Sequence, residues 1–199
     1  SIGSQTGGSI IRPASYCGVV GYKPSYGLIS RSGVLKTSEK LDTIGVFGKT
    51  VKDVALLAKS LIKKDLYDPA TIHFAADDML KVCDEGPPFD PKFIFYKTDK
   101  WKNISRDSQK AFEFLINKFK KNIEVFDTPS YFKEIPKHHQ IIHETDLANN
   151  FQVYYNKDKT KLSKEMREAI GRGLKYSAKE YTDAIDFMKR SYESYKEVF

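Results

Sequence analysis

The stretch Gly3-Ser4-Gln5-Thr6-Gly7-Gly8-Ser9-Ile10-Ile11-Arg12-Pro13-Ala14 constrains this chain more than any other segment. Two adjacent glycines let a backbone turn tightly and aim successive N–H groups into one small space. A serine beside such a nest suits acyl transfer, where the oxyanion developing on an attacked carbonyl needs hydrogen-bond donors. A phosphate would suit the same nest, so spacing has to separate the two. Gly3 and Gly8 have the interval of a Walker loop, but Ser9-Ile10 stands where Lys-Ser/Thr is required. A nucleophile elbow needs glycine two residues before and two after its serine, and Ile11 fills the second place. Both motifs fail. The histidines, His73, His138, His139 and His143, suggest no triad, and on spacing alone a plain glycine-rich turn stays open.

Beyond this stretch the chain divides by texture. Residues 1–48 are rich in Gly, Ser and Thr, which favours turns and close backbone approaches over long helices. Residues 50–63 switch to helical period behind a capping-box pattern, Thr50 with Asp53. Val51, Val54, Ala55, Ala58, Leu61 and Ile62 fall on one face. Residues 64–91, broken by Asp68-Pro69, Gly86-Pro87-Pro88 and Asp90-Pro91, read as a connector with at most a short helix around 74–82. Phe93–Tyr96 and Ile123–Phe126 read as strands flanking a helix over 105–121, with Phe112, Leu115, Ile116 and Phe119 inward. This alternation argues for an α/β layer. Three more helices are expected: 138–156, 164–171, and one starting at a capping box on Ser177 and Glu180. The last carries an apolar stripe of Tyr181, Ala184, Ile185, Met188, Tyr192, Tyr195 and Phe199, read as a packing face.

Bulk properties exclude several classes. In 199 residues, 40% hydrophobic and 30% charged, there is material for one ordinary soluble domain and no apolar run of bilayer length. The net charge of +7 comes from lysines spread along the chain among 26 acids, which describes a solvated surface, so no nucleic-acid or membrane partner is expected. The densest cluster, Lys118, Lys120 and Lys121, suits the C-terminal end of a helix dipole. Cys17 and Cys83 make no disulfide framework, which favours a reducing, cytoplasmic compartment. His139 and His143 are spaced i, i+4 beside Glu144. Gln140 stands where the zinc-helix motif needs Glu, so no metal site is expected.

Several motifs lie in one order: Thr6-Gly7-Gly8-Ser9-Ile10, Pro13-Ala14, and Cys17-Gly18-Val19-Val20-Gly21-Tyr22-Lys23-Pro24-Ser25-Tyr26-Gly27. Ser30-Arg31-Ser32-Gly33, Leu41-Asp42-Thr43-Ile44-Gly45 and Val51-Lys52-Asp53-Val54-Ala55 follow. Together they closely resemble the amidase-signature family. Motif-grade likeness covers about the first quarter, and a weaker likeness continues at Lys161–Arg167, Gly173 and Tyr181. The resemblance implies a mixed β-sheet flanked by helices. It implies amide-bond cleavage by a Ser–cis-Ser–Lys mechanism, with Ser9 as nucleophile and an oxyanion hole from the N–H groups of Thr6, Gly7, Gly8 and Ser9. It implies no metal, and no cofactor is called for. The lysine base and the relay serine of relatives match positions before Ser1. Neither Lys23, in a Lys-Pro step that looks structural in the family, nor Lys36 replaces them.

Residue 1 falls inside a motif, and the last helix meets Phe199 without a stop signal. Both ends are therefore expected to be cuts, with residues 1–199 the central part of a single domain incomplete at both ends. Such a fragment is expected to be inactive alone. Two departures stand out. Gln5 replaces a common Asp, and Ile11 stands where relatives carry Arg, with Arg12 one place later. Loss of an acid and displacement of a base suggest that one local ion pair is replaced by another arrangement. The expected partner is a small-molecule amide substrate, and a homo-oligomer is compatible with the reading. Two alternatives accompany the freestanding amidase. One is the glutaminase-type subunit of a tRNA-dependent amidotransferase, which Gln5 and the Ile11-Arg12 shift fit less well. The other is a catalytically silent binding module that keeps the signature for its fold.

Overall fold

A computed structural model describes residues 1–74 and 79–197. Residues 75–78 of the helix expected around 74–82, and Phe199 of the aromatic stripe, lie outside the described residues. Contacts divide the chain into two compact units, one of residues 1–86 and 140–184, the other of 87–139 and 185–199.

The first unit is built on a three-stranded antiparallel sheet. Strand β1 (Ile2–Gln5) pairs with β3 (Thr43–Gly48) in the register Ile2↔Val46 to Gln5↔Thr43, and β2 (Val20–Tyr22) pairs with the other edge of β3. Alternate β3 residues point to opposite faces. On one face, Val46 packs against Val54 and Ala58 of helix α2 (Val51–Leu61). On the other, Gly45 lies under Ile10 at the start of helix α1 (Ile11–Cys17). A Cβ on Gly45 would sit 2.4 Å from both the Ile10 Cδ1 and the Tyr22 carbonyl oxygen. Only glycine permits that approach, and Ile10 is wholly buried by it.

Helix α2 starts with the expected capping box: Thr50 Oγ1 accepts from the Asp53 amide at 3.1 Å, and Asp53 accepts from the Thr50 amide at 2.8 Å. Val51, in the first turn, stays exposed. Helix α3 (Met79–Asp84) brings Met79 to the Val46 cluster. Residues 140–184 add most of helix α5 (Ile135–Lys157), all of α6 (Lys164–Gly173) and the start of α7 (Ala178–Lys196). Leu147, Ala148, Phe151 and Ile170 form their apolar core.

The second unit holds the expected β-α-β element. Strand β4 (Phe93–Lys97) and β5 (Ile123–Asp127) pair in parallel across helix α4 (Arg106–Lys118). Parallel and antiparallel pairings thus both occur, in separate sheets among the described residues. The inward face expected on α4 is corrected. Phe112, Leu115 and Phe119 remain more than 40% exposed, and Ile116 is half-buried. Phe112 does meet Phe95 and Trp101, at 5.4 and 6.0 Å between ring centroids, but a two-stranded sheet is too narrow to cover the helix. The packing stripe expected on α7 holds at Ala184, which is fully buried, and is corrected further along the helix. Tyr192 and Tyr195 are exposed, while Phe187 and Ser191 are buried. Phe187 stacks on His138 and Tyr131 at centroid distances of 4.0 and 4.6 Å.

In the first unit a buried ion pair ties two loops. Arg31 donates to Asp68 through Nε at 3.0 Å and Nη2 at 2.8 Å, and its backbone N–H adds a third bond at 2.8 Å. These bonds hold the Asp68 carboxyl well below the usual carboxylate range. A depressed folded-state pKa contributes stability that is full above the unfolded value and is lost as pH falls through the folded one. Denaturation measured between neutral pH and strong acid should therefore show stability falling below a pH of about 4. In Asp68→Asn the neutral-pH stability should be lower and the acid dependence flatter. An unchanged slope would remove Asp68 from that account.

Candidate functional site

The loop 6–10 joins β1 to α1, so the sheet sets its start and the glycine-dependent packing of α1 sets its end. Thr6, Gly7, Gly8 and Ser9 are therefore neighbours on one loop. Ser9 and Gly7 are exposed or nearly so at the loop's outer side, with Thr6 half-buried at its base. Gly8 has φ +143°, a region that L side chains rarely adopt, and a Cβ there would meet the Arg12 Nε at 3.1 Å. Among the described residues, the N–H groups of Gly7, Gly8 and Ser9 donate to no protein acceptor, and the Ser9 hydroxyl has no hydrogen-bond partner.

The loop's ends are bonded. Gln5 Oε1 accepts from the amides of Ile10, at 2.9 Å, and Ile11, at 3.2 Å, which supplies an acceptor to the start of α1. The Gln5 amide thus does what a carboxylate could do at this position without requiring a cation beside it. Arg12 forms no ion pair among the described residues; its backbone N–H donates to the Gly8 carbonyl at 3.0 Å and its stem lies against Gly8. At the other end, Thr6 Oγ1 donates to Asp42 at 2.6 Å.

Two lysines in the signature stretch have local partners. Lys23 Nζ donates to the Pro24 carbonyl at 2.8 Å, and burial pushes its pKa below the ordinary lysine value. Lys36 pairs with Glu39 at 3.0 Å. His139, His143 and Glu144 assemble no metal site: among the described residues no group of three or more His, Cys, Asp or Glu could hold an ion. Glu144 is instead buried and accepts two bonds from Arg172 Nε, at 3.0 and 3.1 Å, and one from Nη2 at 2.6 Å.

Two residues escape sequence reasoning. Thr37 carries no signal, and neither does Asp146, which is buried. Tyr181, expected in the apolar stripe and in the weaker family likeness, donates its hydroxyl to Asp146 at 2.7 Å. Asp42 is visible in the sequence only as part of Leu41-Asp42-Thr43-Ile44-Gly45.

Comparison with known proteins places the chain in a class. The Amidase family model matches residues 1–198. The chain belongs to the amidase family. A glutamyl-tRNA(Gln) amidotransferase subunit from Endomicrobium trichonymphae is 36% identical over 167 residues, covering 77% of this chain and 32% of that protein. The chain thus spans about a third of that curated relative. The solved glutamyl-tRNA(Gln) amidotransferase subunit of Thermotoga maritima superposes with a TM-score of 0.67 at 27% identity, over 97% of this chain and 40% of that one. A 6-aminohexanoate cyclic dimer hydrolase shares the fold with a TM-score of 0.77 at 18% identity, over 95% and 42%. Among the described residues, no helix is long and apolar enough to cross a membrane.

The Gln5 contact can be tested directly. Gln5→Leu should lower stability by about 1 kcal/mol, the usual worth of a lost helix-start acceptor. Gln5→Glu, which keeps an acceptor, should cost less. Urea midpoints of the two variants would show it, and equal midpoints would mean that the side chain is not the anchor.

Proposed function

We propose that the protein carrying this chain hydrolyses a carbon–nitrogen amide bond of a small-molecule, non-peptide substrate, with Ser9 as nucleophile. The reading is carried by one observation: an exposed serine hydroxyl adjoins three N–H groups with no protein acceptor among the described residues. Ser9 Oγ attacks the amide carbonyl. The developing oxyanion is stabilised by the N–H groups of Gly7, Gly8 and Ser9, with Thr6 at the edge of the same loop. Collapse breaks the C–N bond, releases the amine and leaves an acyl-Ser9 ester, which water hydrolyses. A serine hydroxyl needs a base to take its proton. The family resemblance assigns that role to a lysine acting through a cis-linked serine, at positions before Ser1, so the isolated 199-residue chain is read as inactive.

A second reading rests on the curated relatives named as subunits of glutamyl-tRNA(Gln) amidotransferase, including a mitochondrial one from Dictyostelium discoideum that is 59% identical over 71 residues. It has the same nucleophile but draws ammonia from glutamine inside a multi-subunit complex. Assaying the full-length protein for glutamine hydrolysis against simple amides separates the two. A catalytically silent module would turn over neither.

In the full-length protein, Ser9→Ala should abolish hydrolysis and fluorophosphonate labelling while leaving the fold intact. Near wild-type turnover by this variant would sink the assignment. Gly8→Ala forces a side chain into the φ +143° position and against Arg12. It should lower kcat by roughly two to three orders of magnitude, as loss of an oxyanion donor does. An effect confined to KM would instead make the loop a turn without catalytic duty.

A further inference from the structure

The loop bearing Ser9 has two side-chain anchors, one from Gln5 and one from the Thr6–Asp42 pair. Gln5 holds its far end through the Ile10 and Ile11 amides. Its near end is held by Thr6, whose hydroxyl reaches Asp42 across 36 residues of sequence. Between the anchors lie only Gly7, Gly8 and Ser9. Two glycines in a row have more conformational freedom than any other pair, so a loop of this composition keeps one shape only if its ends are fixed.

Asp42 is 6% exposed and has no ion-pair partner among the described residues. Neutral donors satisfy both of its oxygens. Oδ1 accepts from Thr6 Oγ1 at 2.6 Å and Thr37 Oγ1 at 2.8 Å, and Oδ2 accepts from the amides of Thr37 at 2.7 Å and Ser38 at 2.9 Å. The two threonine hydroxyls also lie 2.8 Å apart. Two hydroxyl protons serve three close oxygen contacts, and Asp42 Oδ1 is the acceptor that both hydroxyls share. The direction of the Thr6 hydroxyl is then set by Asp42, with Thr37 completing the cluster.

The segment carrying these donors is itself braced from helices α5 and α7. Asp146, buried on α5, accepts from Ser38 Oγ at 2.5 Å and the Lys40 amide at 3.3 Å on one oxygen, and from the Tyr181 hydroxyl at 2.7 Å on the other. Burial, then the Asp146 carboxylate, pushes the Tyr181 phenol above its ordinary value, which keeps it a donor.

We propose that Asp42 is a positioning residue for the glycine loop, acting through Thr6 and Thr37, and that Asp146 with Tyr181 and Ser38 braces it from the other side. The proposal rests on Ser9 being the nucleophile, since only then does the loop's shape bear on rate. The full-length protein supplies the test, with Thr6→Val, which keeps the shape and loses the hydroxyl, against Thr6→Ser, which keeps the hydroxyl. Thr6→Val should lower kcat by about 10- to 100-fold, the scale of small displacements of a reacting group. KM should hold within about threefold. Hydrogen exchange should accelerate at the Ile10, Ile11 and Arg12 amides, which are bonded to Gln5 and Gly8. Thr6→Ser should restore both readouts, and Asp42→Asn should reproduce the Thr6→Val pattern where it folds. Wild-type exchange at residues 10–12 in Thr6→Val, or equal behaviour of the two Thr6 variants, would overturn the positioning role. If Ser9→Ala keeps its activity, the nucleophile reading falls, and the exchange comparison still decides whether Asp42 holds the loop.

Discussion

Ile10 presses onto β3 where Gly45 leaves no side chain, and Ala14 presses onto β2 at Gly21, where an added Cβ would sit 2.6 Å from the Ala14 Cβ. These two approaches bring α1 down onto the sheet far closer than a strand of ordinary residues allows. The consequence reaches the residue beside them. Ile10 is fully buried, while Ser9 is exposed. A chain that must bury one side chain against the sheet and show the next to solvent has to turn between them. The double glycine supplies that turn.

The same unit carries buried carboxylates of two kinds. Asp68 and Glu144 face guanidinium groups, from Arg31 and Arg172. Asp42 and Asp146 are held by hydroxyls and backbone amides. A buried charge without a cation is costly unless its lone pairs are bonded, and both of these are bonded at each oxygen. The ion pairs tie loop to loop and helix to helix. The neutral cages gather several short-range donors onto one point, which suits holding a segment in a single conformation. It is the second kind that surrounds the start of the Ser9 loop.

Much is legible in the sequence wherever the controlling interaction is local. The capping boxes at Thr50 and Ser177 form as their three-residue spacing requires, and the β-α-β alternation gives parallel strands joined through α4. Helix faces are less legible. The apolar period of α4 identifies a side but cannot say how wide a sheet will cover it, and on α7 the expected stripe is buried at Ala184 but gives way to Phe187 and Ser191 in place of the expected Tyr192 and Tyr195. On α5 the buried face includes Glu144 and Asp146, which any hydrophobic count assigns to water.

By itself the sequence determined the Gly7-Gly8-Ser9 turn and the likeness to the amidase family, because each is a property of residue type and near spacing. Only the tertiary structure decided which polar groups hold that turn in place. Ser38 and Asp146 are 108 residues apart, and Thr6 and Asp42 are 36 apart. A hydrogen bond has no sequence period: until folding brings the partners within about 3 Å, a buried carboxylate and a solvated one are written with the same letter.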